Sequence, residues 1–377
     1  MLLKPILNSM NNSDHIEPRK EAQGIGQYMP NSEPLTPPVP FSQASNAVNE
    51  NKEHTNSEFS YAMKIIDIIK TQYNEKMVGQ NSLRETLLIG LISGGHILIE
   101  SVPGLAKTTA AHTLSNTVKG KFSRIQCTPD LLPSDILGIE IYNQKTGDFK
   151  TELGPVHANF VLMDEINRSS AKTQSAMLEA MQEKQTTIAG SLYKLPEPFM
   201  VIATQNPIEQ EGTYSLPEAQ LDRFMLKEVL TYPSSDEEFT MLERYENGIL
   251  SQEEVNTDVN IEDILKVQKM ARKIHVEPTI KEYIINLVTA TRNTDLFINQ
   301  GKELVEYGAS PRASIAFLDA VRALALINGR NHAIPEDVKE VAVRVLRHRI
   351  ILSYKAELNN ITSETVITAL LDAVPVP

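Results

Sequence analysis

His96-Ile97-Leu98-Ile99-Glu100-Ser101-Val102-Pro103-Gly104-Leu105-Ala106-Lys107-Thr108-Thr109 is the stretch from which the rest of the chain can be read. Ile97, Leu98 and Ile99 predict a short buried strand, Pro103 and Gly104 a turn, and Lys107 onward a helix. A strand, a tight loop and Lys-Thr at a helix start can wrap a triphosphate. Backbone N–H groups and the positive helix end face the phosphates, the lysine reaches the terminal ones, and the hydroxyl holds Mg²⁺. Against G-x-x-x-x-G-K-[ST], Ser101 replaces the first glycine and Ala106 the second. Placed inside the first helical turn, Ala106 costs little, because that region is open to L-residues. Ser101 is the larger departure, and an ordinary strand-turn-helix with a surface lysine is the competing account of the loop alone.

Downstream residues narrow the choice. Residues 159–165, Asn-Phe-Val-Leu-Met-Asp-Glu, predict a central parallel strand with two carboxylates at its carboxyl end, where ligands sit in open α/β sheets. There Asp164 would hold Mg²⁺ through water, and Glu165 would orient and deprotonate an attacking water. The alternative is a strand followed by a helix whose first turn carries acids for its dipole. Residues 199–207 read as another buried strand ending at Asn206-Pro207, where Asn206 can bond the water or the γ-phosphate, unless it only forms a turn. Leu221-Asp222-Arg223-Phe224 leads into a last strand at 225–230.

The chain has 377 residues, is 41% hydrophobic and carries a net charge of −12, which suits two domains and a tail but not a general binder of phosphate backbones. Arg344, Arg347, His348 and Arg349 cluster on one predicted helix, but only part of the cluster can share a face, so a solvated helix end is expected rather than a nucleic-acid surface. One cysteine, Cys127, excludes an internal disulfide framework and is read as a small buried strand residue. No transmembrane run and no signal peptide is recognised, so a cytoplasmic protein is expected.

Residues 1–57, with Pro34, Pro37, Pro38 and Pro40 close together, predict a disordered tail. Helical periodicity begins at Ser57 and again at Leu83, the second helix ending at Gly94-Gly95. Hairpins are expected around residues 145–147 and around Ala189-Gly190. Residues 58–234 form an α/β core, and residues 235–377, read as almost wholly helical, form an all-α second domain. Pro311 and Pro335 there stand at first helical turns.

Taken together, these motifs resemble the AAA+ ATPases. Val78-Gly79-Gln80, Gly94-Gly95-His96, Val102-Pro-Gly-Leu-Ala-Lys-Thr108, Asp164-Glu-Ile-Asn-Arg168, Ala203-Thr-Gln-Asn-Pro207, Leu221-Asp-Arg-Phe224 and Gly308-Ala-Ser-Pro-Arg312 are similar to motifs of the MoxR family. The resemblance covers about residues 60–377. Ala106 agrees with that family's loop, whereas Ser101 departs from its usual glycine.

The resemblance implies a P-loop core, a parallel sheet flanked by helices, followed by a helical lid, with ATP and Mg²⁺ as ligands. Val102, Pro103, Gly104, Leu105, Ala106, Lys107, Thr108 and Thr109 then hold the nucleotide, with Val78 and Gly79 near adenine. Thr108 and Asp164 hold the metal. Glu165 is the Walker B base, Asn206 is sensor 1, Arg223 is a finger for a neighbouring subunit's γ-phosphate, and Arg312 is sensor 2 on the lid. The two hairpins look like the helix-two and pre-sensor-1 insertions. A homo-oligomeric ring is implied, a hexamer by resemblance, acting on a client or von Willebrand factor A domain partner. Other readings are a chelatase-like metal-insertion subunit and a non-hydrolysing nucleotide-binding scaffold.

Overall fold

The computed structural model describes residues 41–145, 147–207, 214–248, 258–298 and 301–377, with side chains from residue 56 onward, Lys302 excepted. Helices α1 (Phe41–Lys76) and α2 (Asn81–Ser93) lead into β1 (Ile97–Glu100), α3 (Lys107–Thr117) and β2 (Phe122–Gln126). A short α4 (Pro133–Leu137) precedes a hairpin of β3 (Gly138–Asn143) and β4 (Asp148–Leu153). Then come β5 (Phe160–Asp164), α5 (Ala171–Glu183), a second hairpin of β6 (Gln185–Ile188) and β7 (Ser191–Lys194), β8 (Met200–Gln205), α6 (Glu218–Leu221) and β9 (Leu226–Val229). The remainder comprises α7 (Ser235–Glu246), α8 (Ile261–Arg272), α9 (Pro278–Ala290), α10 (Gly301–Leu304), β10 (Val305–Tyr307), α11 (Pro311–Ile327), α12 (Pro335–Leu346), β11 (Ile351–Leu352), α13 (Tyr354–Leu358) and α14 (Ser363–Ala373).

The chain divides into two compact units, residues 1–51 and 52–377. In the first, residues 41–51 are described, as helical backbone. Of the tail expected over residues 1–57, residues 1–40 lie outside the described residues, and the helix begins at Phe41 rather than Ser57. Neither proline nor glycine occurs between Pro40 and Ser57, so nothing there breaks a helix.

In the second unit, β2, β5, β8, β1 and β9 lie side by side in that order, all parallel. The alternation of side chains across the sheet separates two cores. Ile97, Ile99, Phe160, Leu162, Met200 and Ile202 face one, whereas Leu98, Val161, Met163, Val201 and Ala203 face the other. Helix α2 ends as expected, with Gly94 left-handed at φ 73° and its N–H donating to Gly90 O. Both hairpins form; Thr146, at the first turn, lies outside the described residues. Among the described residues no helix is long and apolar enough to cross a membrane.

The region after residue 234 is mainly helical, built around α11, which buries ten residues. It is not wholly so: β10 and β11 pair antiparallel, each too short to leave a period-2 signal. The basic cluster also departs from expectation. Instead of a solvated helix end, Arg344, His348 and Arg349 are buried. Arg344 pairs with Glu85 at 2.6 Å, Arg347 with Glu364 at 3.0 Å and Arg349 with Asp222 at 2.8 Å. These cations join the lid to the core and to itself, and each is neutralised on the spot.

Candidate active site

Parallel pairing brings the carboxyl ends of β1, β5 and β8 to one edge. Glu100 is in register with Gln205, and Met163 with Ala203, so the loop after β1, the acids ending β5 and Asn206 after β8 are neighbours. Ser101 continues β1 by one step: its N–H donates to Gln205 O at 3.1 Å, and its side chain is buried. The position thus serves as a ladder residue that also bonds Val102 O through its hydroxyl. Gly104 takes φ 87° with open space where a Cβ would stand, so conformation rather than room requires glycine there.

Ala106 overturns one expectation. It is not within the first helical turn but caps α3 from the left-handed region, at φ 54°. An alanine held there costs about 1–2 kcal/mol of backbone strain relative to a right-handed residue. The result is a sharp entry that starts the helix at Lys107, whose Nζ lies 3.4 Å from Ser101 O. Helix α3 is long enough to offer its first N–H groups and dipole to an anion.

Asp164 and Glu165 are each held by partners that their own local sequence does not announce. Asp164, buried at the end of β5, accepts from Arg124 at 2.5 Å and from the Thr204 hydroxyl at 2.8 Å. That same hydroxyl accepts the Glu165 N–H at 2.8 Å. Glu165 sits at φ 59°, turning its carboxylate away from the strand direction, where Arg168 (2.9 Å) and Gln126 (3.2 Å) bond it. Thr204 therefore fixes both acids from the adjacent strand. Asn206 is buried at the end of β8, as expected. Cys127 lies one residue beyond β2, its thiol pushed up to about 12 by burial, consistent with a packing role.

A cavity of about 350 Å³ opens beside the loop. Val78, Gly104, Leu105, Ala106 and Thr109 line it, together with His112, Pro233 and Met241, which the motifs had not indicated. It is mostly apolar-lined and of a size that suits a planar base. Gly79 is not in that lining. At φ 67° it packs against Glu237 of α7, where an added Cβ would stand 2.5 Å from Oε1.

Arg223 and Arg312 are brought together, but elsewhere. They border a separate cavity of about 300 Å³ with Asp222 and Arg349. Asp222 accepts from Ser310 at 2.8 Å and lies 3.8 Å from Arg312 Nη1, while Ser310 caps α11 by accepting the Arg312 N–H. Neither arginine lines the cavity beside the loop.

The donor set tests whether magnesium fits. Among the described residues no group of three or more His, Cys, Asp or Glu side chains could cage a metal ion. A helix-start hydroxyl, Thr108, and a strand-end carboxylate, Asp164, instead match an ion that keeps water and phosphate oxygens as ligands. The residues fit.

A parallel sheet in this order, a phosphate loop after β1, acids after β5 and a helical lid together define an AAA+ nucleotide-binding fold. The model of the AAA family, ATPases associated with various cellular activities, matches residues 96–226, and that of the AAA lid domain matches residues 301–370. Chaperone MoxR1 of Mycobacterium tuberculosis is 48% identical over 80% of this chain and 79% of its own length. YeaC of Bacillus subtilis is 42% identical over 81% and 92%. The crystal structure of a candidate ATPase from Cytophaga hutchinsonii superposes with a TM-score of 0.82 at 44% identity, covering 87% of this chain and 99% of that one. The chain belongs to the MoxR family of AAA+ ATPases.

Proposed function

We propose that this chain is a Mg²⁺-dependent ATPase that couples hydrolysis to chaperone-like remodelling or maturation of partner proteins in the cytoplasm. The observation that carries the reading is that Arg223 and Arg312 border a different cavity from the one beside the phosphate loop. One copy supplies the pocket and the next supplies the cations, so the working form is a ring, a hexamer by analogy with the family.

Within one pocket, the 102–109 loop and Lys107 grip the phosphates, and Val78 borders the base. Thr108 and Asp164 would hold Mg²⁺, which supplies charge neutralisation at the phosphate oxygens. Glu165 takes the proton of the attacking water once Arg168 and Gln126 release its carboxylate, and Asn206 orients that water. Arg223 and Arg312 of the adjoining copy meet the charge developing on the transferred phosphoryl group, a contribution of about 10³ to 10⁵ in rate for arginine fingers elsewhere. Ile141, Tyr142 and Phe149 on the first hairpin are exposed apolar groups suited to gripping a client, and the Tyr142 and Phe149 rings lie 5.2 Å apart. A von Willebrand factor A domain protein is the partner class that the family resemblance suggests.

The test is co-assembly of Arg223→Ala subunits with Lys107→Ala subunits. Each alone is nearly inactive; mixed, they recover part of the ATPase rate, because a sound pocket meets a sound finger. No recovery in demonstrably mixed assemblies rejects the shared site.

A further inference from the structure

We infer that Arg349, from the lid, is the positioning residue that sets both arginines a subunit presents to its neighbour. This rests on the proposed action of Arg223 in a neighbouring pocket. The guanidinium is buried, its side chain only 2% exposed, 126 positions beyond Arg223 (349 − 223). Such burial is costly unless every donor is satisfied. All five N–H groups have acceptors. Nε donates to Asp222 Oδ1 (2.8 Å), Nη1 to Met225 O (3.1 Å) and Val345 O, and Nη2 to Asp222 O (3.2 Å) and Phe224 O (2.7 Å).

Four of those five bonds fall on residues 222–225, on both sides of Arg223. His348 adds a bond to Phe224 O at 2.9 Å. Arg223 itself keeps a buried Nε with no hydrogen-bond partner. The backbone that carries Arg223 is thus tied down on both sides. The same contacts extend to the second arginine: the Asp222 carboxylate that accepts from Arg349 also accepts from Ser310 and lies beside Arg312. Arg349 and Asp222 therefore make the finger turn and the start of α11 one rigid body. A lysine could replace the charge but not the five-pronged geometry.

The test compares Arg349→Met and Arg349→Lys, the latter deciding if the former does not fold. The expected result is a fall in kcat of about 100-fold for Met, the scale of an ångström-level misplacement, with less loss for Lys. ATP affinity, measured by calorimetry, changes less than about threefold, since a subunit's own pocket is untouched. Hydrogen exchange speeds up in peptides covering residues 222–226 and not in those covering residues 101–109. Mixing either variant with Lys107→Ala subunits restores activity, as Arg223→Ala does. If Arg223→Ala mixtures recover and Arg349 mixtures do not, Arg349 is a general stability residue and the inference is overturned. If neither recovers, the shared-site reading fails first and the inference falls with it. Unchanged exchange at 222–226 also overturns it.

Discussion

Arg124 on β2 reaches across to β5 and places Nη2 2.5 Å from the Asp164 carboxylate. A cation thus rests on the carboxylate proposed to serve magnesium. Arg124 is about half exposed, so the pair is worth at most about 1 kcal/mol after solvent screening. Because arginine and metal draw on one carboxylate, Arg124→Gln lowers the Mg²⁺ concentration for half-maximal ATPase by about fivefold. A magnesium titration of turnover at saturating ATP reads this directly; a higher requirement would mean that Arg124 assists the metal.

Glu165 is held by Arg168 and Gln126, so its work as a base begins with its release. Glu165→Gln keeps the shape but cannot take a proton. Turnover falls by about 10² to 10⁴, while ATP stays bound and the assembly persists on a sizing column. Phosphate release at the parental rate would remove Glu165 from the mechanism.

Gly79→Ala tests the wall of the base cavity. The left-handed backbone at Gly79 and the Glu237 carboxylate both oppose a methyl group. Glu237 also completes the α7 cap, bonding the Ser234 N–H at 2.8 Å. Displacing it loosens the helix that brings Met241 to the cavity. The expected loss is about 1–2 kcal/mol of stability, read by urea melts, with weaker adenine-nucleotide binding. Unchanged melting and binding would show that α7 does not shape the site.

His96 begins the stretch quoted first and is buried between strands. The Val201 N–H donates to its Nδ1 (3.0 Å), so Nε2 carries the proton and faces Met181 O (3.3 Å). Burial pushes its pKa down to about 4. The unfolded chain, titrating near 6.5, binds the proton first, so this contribution is present above that value and lost as pH falls towards 4. About 2 kcal/mol disappears between pH 7 and pH 5 from His96 alone, and His348, whose pKa burial also lowers, adds in the same direction. Melting temperature measured across that range should drop steeply, and less so in His96→Asn. A flat profile would contradict a buried neutral imidazole.

The residues that sequence made visible are those whose signal is local. The continuous apolar runs of β1, β5 and β8 announce central strands, and the polar groups that end them announce the ligand edge. What escaped depends on distant partners or on backbone angles. Thr204 reads as one more strand residue until β8 lies beside β5. The basic run at 344–349 reads as a helix end because its acceptors, Glu85 and Asp222, are 259 and 127 positions away. Ala106 gave no sign of its positive φ, since alanine is ordinarily a helix former.

The central claim is that ATP is cleaved only where two copies meet. Turnover per chain, followed as the protein is diluted at saturating ATP and Mg²⁺ with assembly monitored in parallel by light scattering, tests it most directly. The rate per chain should collapse as assemblies dissociate. A rate that stays constant down to the monomer would contradict the account.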